Sequence, residues 1–132
     1  MLFRSFDRLA TAGVALALQP YFFPTEGILE ELAAFPVQQL GVDVRSRETS
    51  ARAIDRLGAV TQTVVLGVVD ARNTRVETPR ELGELVDAAL KRVGADRLWL
   101  STTTGLEYLP HDVAVRKLAA LTDAARVSGG VR

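Results

Sequence analysis

Seven residues constrain this chain most: Thr-Val-Val-Leu-Gly-Val-Val at positions 63–69, nearly all apolar and β-branched. Such a run reads as a strand buried on both faces, the situation of a parallel sheet covered by helices. Three further apolar bursts, at 13–19, 38–44 and 97–101, are predicted to be strands, and an amphipathic stretch follows each. The segment 26–34 is predicted to be a short helix with Ile28, Leu29 and Leu32 on one face, and 49–58 another. Thr78-Pro79-Arg80-Glu81 is a capping box with proline at the first helical position. Leu82, Leu85, Val86, Ala89, Leu90 and Val93 then recur at helical spacing until Gly94 stops the helix. A last helix starts near Pro110, with Ala114, Leu118, Leu121 and Ala125 expected on its buried face and Gly129-Gly130 at its end. The opening segment, Leu2 to Ala12, reads as one more helix with Phe3, Phe6 and Leu9 apolar.

Strand–helix units repeated along a chain imply a parallel sheet with right-handed crossovers. Two architectures fit: an open doubly wound sheet, or part of a (β/α)8 barrel, which takes about 250 residues when complete. The chain has 132 residues. Four units therefore make a single domain, 1–132, of α/β class and about half a TIM barrel. The first strand is not followed by a glycine-rich fingerprint, so the nucleotide-binding open sheet gains no support.

Composition excludes several functions. Sixteen basic residues balance sixteen acidic ones, whereas a protein that grips phosphate backbones shows a basic excess; no nucleic-acid partner is expected. There is no cysteine, which removes disulfides, thiolate metal sites and a cysteine nucleophile together. The apolar runs fall short of the roughly 20 residues that span a bilayer, and the start lacks a signal-peptide core. No membrane association is expected, and the expected location is the cytoplasm. His111 is the single histidine.

In parallel α/β folds, chemistry gathers beyond the carboxyl ends of the strands. Those ends carry Gln19-Pro20-Tyr21, Asp43-Val44-Arg45, Asp70-Ala71-Arg72-Asn73 and Ser101-Thr102-Thr103-Thr104-Gly105. A carboxylate at the end of an apolar strand is costly to bury unless paired, and Arg45, Arg47 and Arg72 are the available partners for Asp43 and Asp70. Asp43, Asp70, Arg72, Asn73, Tyr21 and Thr104 are the candidate binding residues. Tyr21, Phe22 and Phe23 suit either stacking on a flat ligand or capping the rim. Trp99 is expected to pack in the core.

At these strand ends the chain resembles the cobalamin-independent methionine synthase family. Gly67-Val68-Val69-Asp70-Ala71-Arg72-Asn73 is similar to the family's G-V-V-D-x-R-N segment, and Val76-Glu77-Thr78-Pro79 to its V-E-(S/T)-P helix start. Asp96-Arg97-Leu98-Trp99-Leu100 resembles its (E/D)-R-L-W-V strand, and Thr104-Gly105-Leu106-Glu107-Tyr108-Leu109-Pro110 its C-G-L-K-x-L-P motif. The helix that includes Val113 to Leu118 follows the family pattern too. The likeness covers roughly residues 12–127 and is densest from 64 to 118.

The resemblance implies the second half of one barrel, and methyl transfer from a methyl-folate to homocysteine. It also implies a zinc ion held by His, two Cys and a Glu. Those four positions match Leu18, Pro20, Asp43 and Thr104, so the family's zinc site is not expected to be retained and no cofactor is expected. The expected ligand is a folate or a thiol amino acid. A half barrel leaves two strand edges open to another chain, so a homo-oligomer closed by dimerisation, or a partner half barrel, is expected. A truncated product is the remaining reading.

Overall fold

Strand β3 (Thr63–Val69) is flanked on both sides, by β2 (Gln39–Asp43) and by β4 (Leu98–Thr102), and β1 (Ala17–Leu18) lies outside β2. All three pairings are parallel and the spatial order is β1-β2-β3-β4. Strand order thus follows chain order with no reversal, as in a barrel wall and unlike a doubly wound sheet, whose order reverses at a switch point. The chain, as a computed structural model, is described over residues 2–21, 25, 27–45 and 50–128. Phe22, Phe23, Arg47 and the Gly129-Gly130 stop lie outside the described residues.

Five α-helices occur among the described residues: α1 (Leu2–Ala10), α2 (Leu29–Ala33), α3 (Ser50–Arg56), α4 (Pro79–Val93) and α5 (His111–Val127). None is long and apolar enough to cross a membrane among the described residues. The core lies between sheet and helices. Leu40, Val42 and Val44 of the second strand region, Val64, Leu66 and Val68 of β3, and Leu98 of β4 meet Leu29, Ile54, Leu57, Leu82, Val86 and Ala89. Side chains alternate across a strand, so Gly41, Asp43, Val65, Gly67 and Trp99 fall on the other face, the inner face of a barrel.

Trp99 therefore departs from expectation: it is half-buried and sits opposite the core. A register shift between Gly67 and Val69 lets Val68 and Val69 both join the core, as a bulge does when it turns a strand. Gly67 is required here. A Cβ on it would lie 3.2 Å from Thr103 Cα and 3.5 Å from Asp43 Cα, so the ends of three strands converge only over a bare backbone.

α4 starts at the expected capping box. Thr78 Oγ1 accepts from the Glu81 amide at 3.3 Å, and a Glu81 carboxylate oxygen accepts from the Thr78 amide at 2.9 Å. The helix ends at Gly94, whose φ of 85° is open to glycine at little cost. At the opposite end of the sheet from the rim, the Arg97 guanidinium donates to the carbonyls of Val60, Gln62 and Val93 at 2.9, 3.1 and 3.3 Å.

Three elements differ from the sequence expectation. Only Ala17 and Leu18 of 13–19 pair as a strand, because Gly13 turns the chain at φ 71° and an edge strand has one neighbour to hold it. The opening helix packs through Phe6, edge-on to Phe35 at 4.8 Å, while Leu9 is exposed. On α5 the buried positions are Val113 and Lys117, with Ala120, Leu121 and Ala124 packed against the core. Leu118 is 48% exposed. The stripe is rotated because a lysine, which a hydrophobicity pattern reads as solvent-facing, occupies its centre.

Candidate functional site

The bulged end of β3 and the loop to α4 carry Asp70, Arg72 and Asn73 to the carboxyl rim, beside Asp43 at the end of β2. The Asp43 side chain is 4% exposed. Its Oδ1 accepts from the Arg45 amide at 2.8 Å, and its Oδ2 from Arg72 Nη1 at 3.0 Å. Arg72 also donates through Nε to Asp70 Oδ1 at 2.8 Å. Asp70 Oδ1 takes the Arg72 amide at 3.0 Å, and Oδ2 takes Asn73 Nδ2 at 2.8 Å. One guanidinium thus bridges two carboxylates from adjacent strands.

The electrostatics follow from these contacts. Burial pushes the Asp70 carboxyl up, but the amide and guanidinium of Arg72, with the charges of Arg72 and Arg45, outweigh it and hold the group below its ordinary value. Burial likewise works against the Arg72 charge, and its hydrogen bond to Asp70 with the charges of Asp43 and Asp70 reverses that, raising its pKa.

Behind this row lies a second one that sequence reasoning missed. Glu77 and Lys117 form an ion pair at 3.1 Å with both side chains 0% exposed. Lys117 Nζ also donates to the Arg75 carbonyl. Glu77 Oε1 accepts the Asp70 amide at 2.9 Å and lies 3.8 Å from Arg45 Nη2. Thr103 Oγ1 accepts the Ala71 amide at 3.1 Å. Three carboxylates (Asp43, Asp70, Glu77) face three cations (Arg45, Arg72, Lys117), so the network is neutral, as charges removed from water must be. The available signal was a lysine four residues after Val113, at a core position of α5.

Asp43, Asp70, Arg72 and Asn73 are therefore brought together, as the rim reading expects. Of the proposed partners, Arg72 serves both aspartates, and Arg45 reaches Asp43 through its amide. Tyr21 stands beyond β1, two strands from Asp70, and is 54% exposed. Thr104 is half-buried, and its carbonyl accepts from Thr102 Oγ1 at 2.7 Å. A cavity of about 830 Å³ lies against the network between α3 and α4, lined by Val44, Arg45, Ile54, Asp70, Asn73 and Leu85 among others. On the inner face, Pro20, Asp43, Gly67 and Thr103 line a gap of about 20 Å³.

The strand order defines a class: the wall of a (β/α) barrel, here with charged side chains gathered at its carboxyl rim. Within that class, residues 8–127 match the family model described as the catalytic domain of cobalamin-independent synthase, and the chain belongs to that family. It is 33% identical over 130 residues to the 5-methyltetrahydropteroyltriglutamate–homocysteine methyltransferase of Mycolicibacterium paratuberculosis, covering 94% of this chain and 17% of that protein. It is 28% identical over 92 residues to a methionine synthase of Thermococcus kodakarensis, covering 69% of this chain and 27% of that protein. The chain thus spans less than a third of the length of these relatives. Its fold matches a B12-independent methionine synthase from Shewanella sp. W3-18-1, solved with selenomethionine, at a TM-score of 0.78 and 21% identity over 92% of this chain and 42% of that one.

The four positions matched to zinc ligands can be tested against the geometry. Leu18 and Pro20 carry no donor atom in their side chains. Asp43 has both carboxylate oxygens engaged by Arg45 and Arg72, and a threonine hydroxyl at 104 is a weak ligand beside a thiolate. His111 is exposed at the start of α5. No group of three or more His, Cys, Asp or Glu side chains suited to a metal occurs among the described residues. These residues do not fit a zinc ion.

Proposed function

We propose that this chain is a methionine-synthase-type half barrel whose rim binds a folate or thiol amino-acid ligand without zinc activation of a thiol. The observation that carries the reading is the Asp43–Arg72 bond of 3.0 Å. At the position matched to the family's metal-binding glutamate, the neighbouring cation is a guanidinium from the same chain. A thiol left without a metal stays largely protonated at neutral pH, so its methylation loses its activated nucleophile.

Ligand recognition would fall to the rim. Arg72 has five N–H donors; Asp43 and Asp70 engage two through its side chain, and the side chain is 31% exposed. That suits a ligand carboxylate, with Asp70 and Asn73 orienting it by hydrogen bonds. Metal analysis of the purified chain, with calorimetric titration of homocysteine and of methyl-tetrahydrofolate, tests this. We expect less than stoichiometric zinc and heat with one ligand. One firmly held zinc per chain, or no heat with either ligand in a folded sample, overturns it.

A second reading is a non-catalytic interaction module, in which the half barrel completes a second copy or a partner half. It is favoured by the two sheet edges: β1 pairs only with β2, and β4 only with β3, among the described residues. Light scattering on the purified chain separates the cases. A stable dimer supports closure by a second copy, and a well-folded monomer rejects it.

A further inference from the structure

We propose that the buried Lys117–Glu77 pair is a positioning element, holding the Asp70–Asn73 segment at the rim so that binding there depends on two side chains no ligand touches. The ligand class rests on the reading above; the positioning itself does not. The contacts run in series. α5 delivers Lys117, whose Nζ donates to the Arg75 carbonyl and to Glu77 at 3.1 and 3.4 Å. Glu77 accepts the Asp70 amide. Asp70 orients Arg72, and Arg72 reaches Asp43. A change in α5 is thus transmitted to the end of β2 through five side chains.

Two observations separate this from a merely stabilising pair. A buried ion pair is weak evidence for stability, because well-packed apolar side chains often replace it without loss. Apolar replacements, however, cannot accept the Asp70 amide, which would be left without its partner at the strand end. The second observation is the choice of cation. The chain has fourteen arginines and two lysines, Lys91 and Lys117. Among the described residues the fully buried cation is nonetheless a lysine, a compact donor whose three N–H groups match the three acceptors around it, where a planar guanidinium needs more room.

The test compares two double variants of the full chain. Glu77→Leu with Lys117→Met removes both charges and the acceptor. Glu77→Gln with Lys117→Met removes both charges and keeps an acceptor oxygen. In the leucine variant we expect amide exchange at Asp70 to accelerate about tenfold relative to Val64–Leu66. The Asp70 carboxyl should titrate closer to its ordinary value of 3.8, and affinity for whichever rim ligand the wild type binds should fall about tenfold. The glutamine variant should restore all three. A folded leucine variant with unchanged Asp70 exchange and titration overturns the proposal, as does failure of glutamine to restore the titration. Should the leucine variant not fold, the unaltered chain decides: an Asp70 amide protected like the β3 amides supports the proposal, and one exchanging like the amide of Thr74, an exposed loop residue, overturns it. If the wild type binds neither ligand, the functional reading above fails while exchange and titration still settle this one.

Discussion

The two halves of this sheet are built to different standards. In β1–α2–β2–α3 the strands have two and five residues and the helices five and seven. In β3–α4–β4–α5 the strands have seven and five and the helices fifteen and seventeen. The second half has the capped helix, the Arg97 clamp at one end of the sheet and most of the charge network at the other. The first contributes Asp43, Arg45 and an edge strand with little to hold it. In a parallel sheet each crossover helix must cover the strands beside it, and a helix of one or two turns covers little. The difference teaches that the rim is presented by one firm βαβα block, with the other half leaning on it. Hydrogen exchange should accordingly open β1 at lower free energy than β3; equal protection would dissolve the distinction.

The largest expected effect strikes the firm half. Lys117→Met alone leaves the buried Glu77 carboxylate with Arg45 at 3.8 Å as its remaining cation and should cost up to about 3–5 kcal/mol in urea unfolding. A loss below about 1 kcal/mol would mean that Arg45 or water takes over from Lys117 and that the pair adds little to the firm half. Next comes the seam between the halves. Gly67→Ala forces a Cβ against the Thr103 and Asp43 backbones at 3.2 and 3.5 Å and should cost about 1–3 kcal/mol. Gly58→Ala, with nothing within 4 Å of the added atom, is the control and should not destabilise.

Smaller still is the helix start. Thr78→Ala should cost about 0.5–2 kcal/mol, seen as a lowered urea midpoint at unchanged slope. The same cap sets an acid limb. The backbone bond from Thr78, opposed by slight burial and aided by Arg75, lowers the Glu81 pKa from 4.5 to about 2. A carboxyl depressed in the folded state stabilises fully above its unfolded value and loses that contribution as pH falls through the folded one. Wild type should therefore weaken between pH 4.5 and about 2 more than Glu81→Gln does, measured by urea midpoints across that interval.

How much of this was legible in the sequence differs along the same divide. β3 was legible because a seven-residue run that is nearly all apolar and β-branched has few other uses, and α4 because its capping box and terminal glycine punctuate it. The α/β class and half-barrel order followed from the unit repeat and the resemblance, and strand order bore them out. β1 was overextended, because an apolar run does not reveal that a glycine turn opens it and that, among the described residues, β2 is its one neighbour. At the rim, Asp43, Asp70, Arg72 and Asn73 were legible from their places after strands. Glu77 and Lys117 were not, because a buried ion pair carries no hydrophobic periodicity. Each residue alone reads as surface, and only the distance between α5 and the β3–α4 loop, 40 residues apart in the chain, makes them a pair.

The matching of strand order to chain order has a consequence for how this molecule is made. Among the described strands, β2, β3 and β4 each dock on the one synthesised just before it, so none of the three waits for a later strand to pair. A nascent chain can lengthen its sheet at one edge as it leaves the ribosome, adding a strand and the helix that covers it at each step. The early units, β1 to α3, are then a provisional wall, and the arrival of β3 and its long helix is the step that makes it permanent.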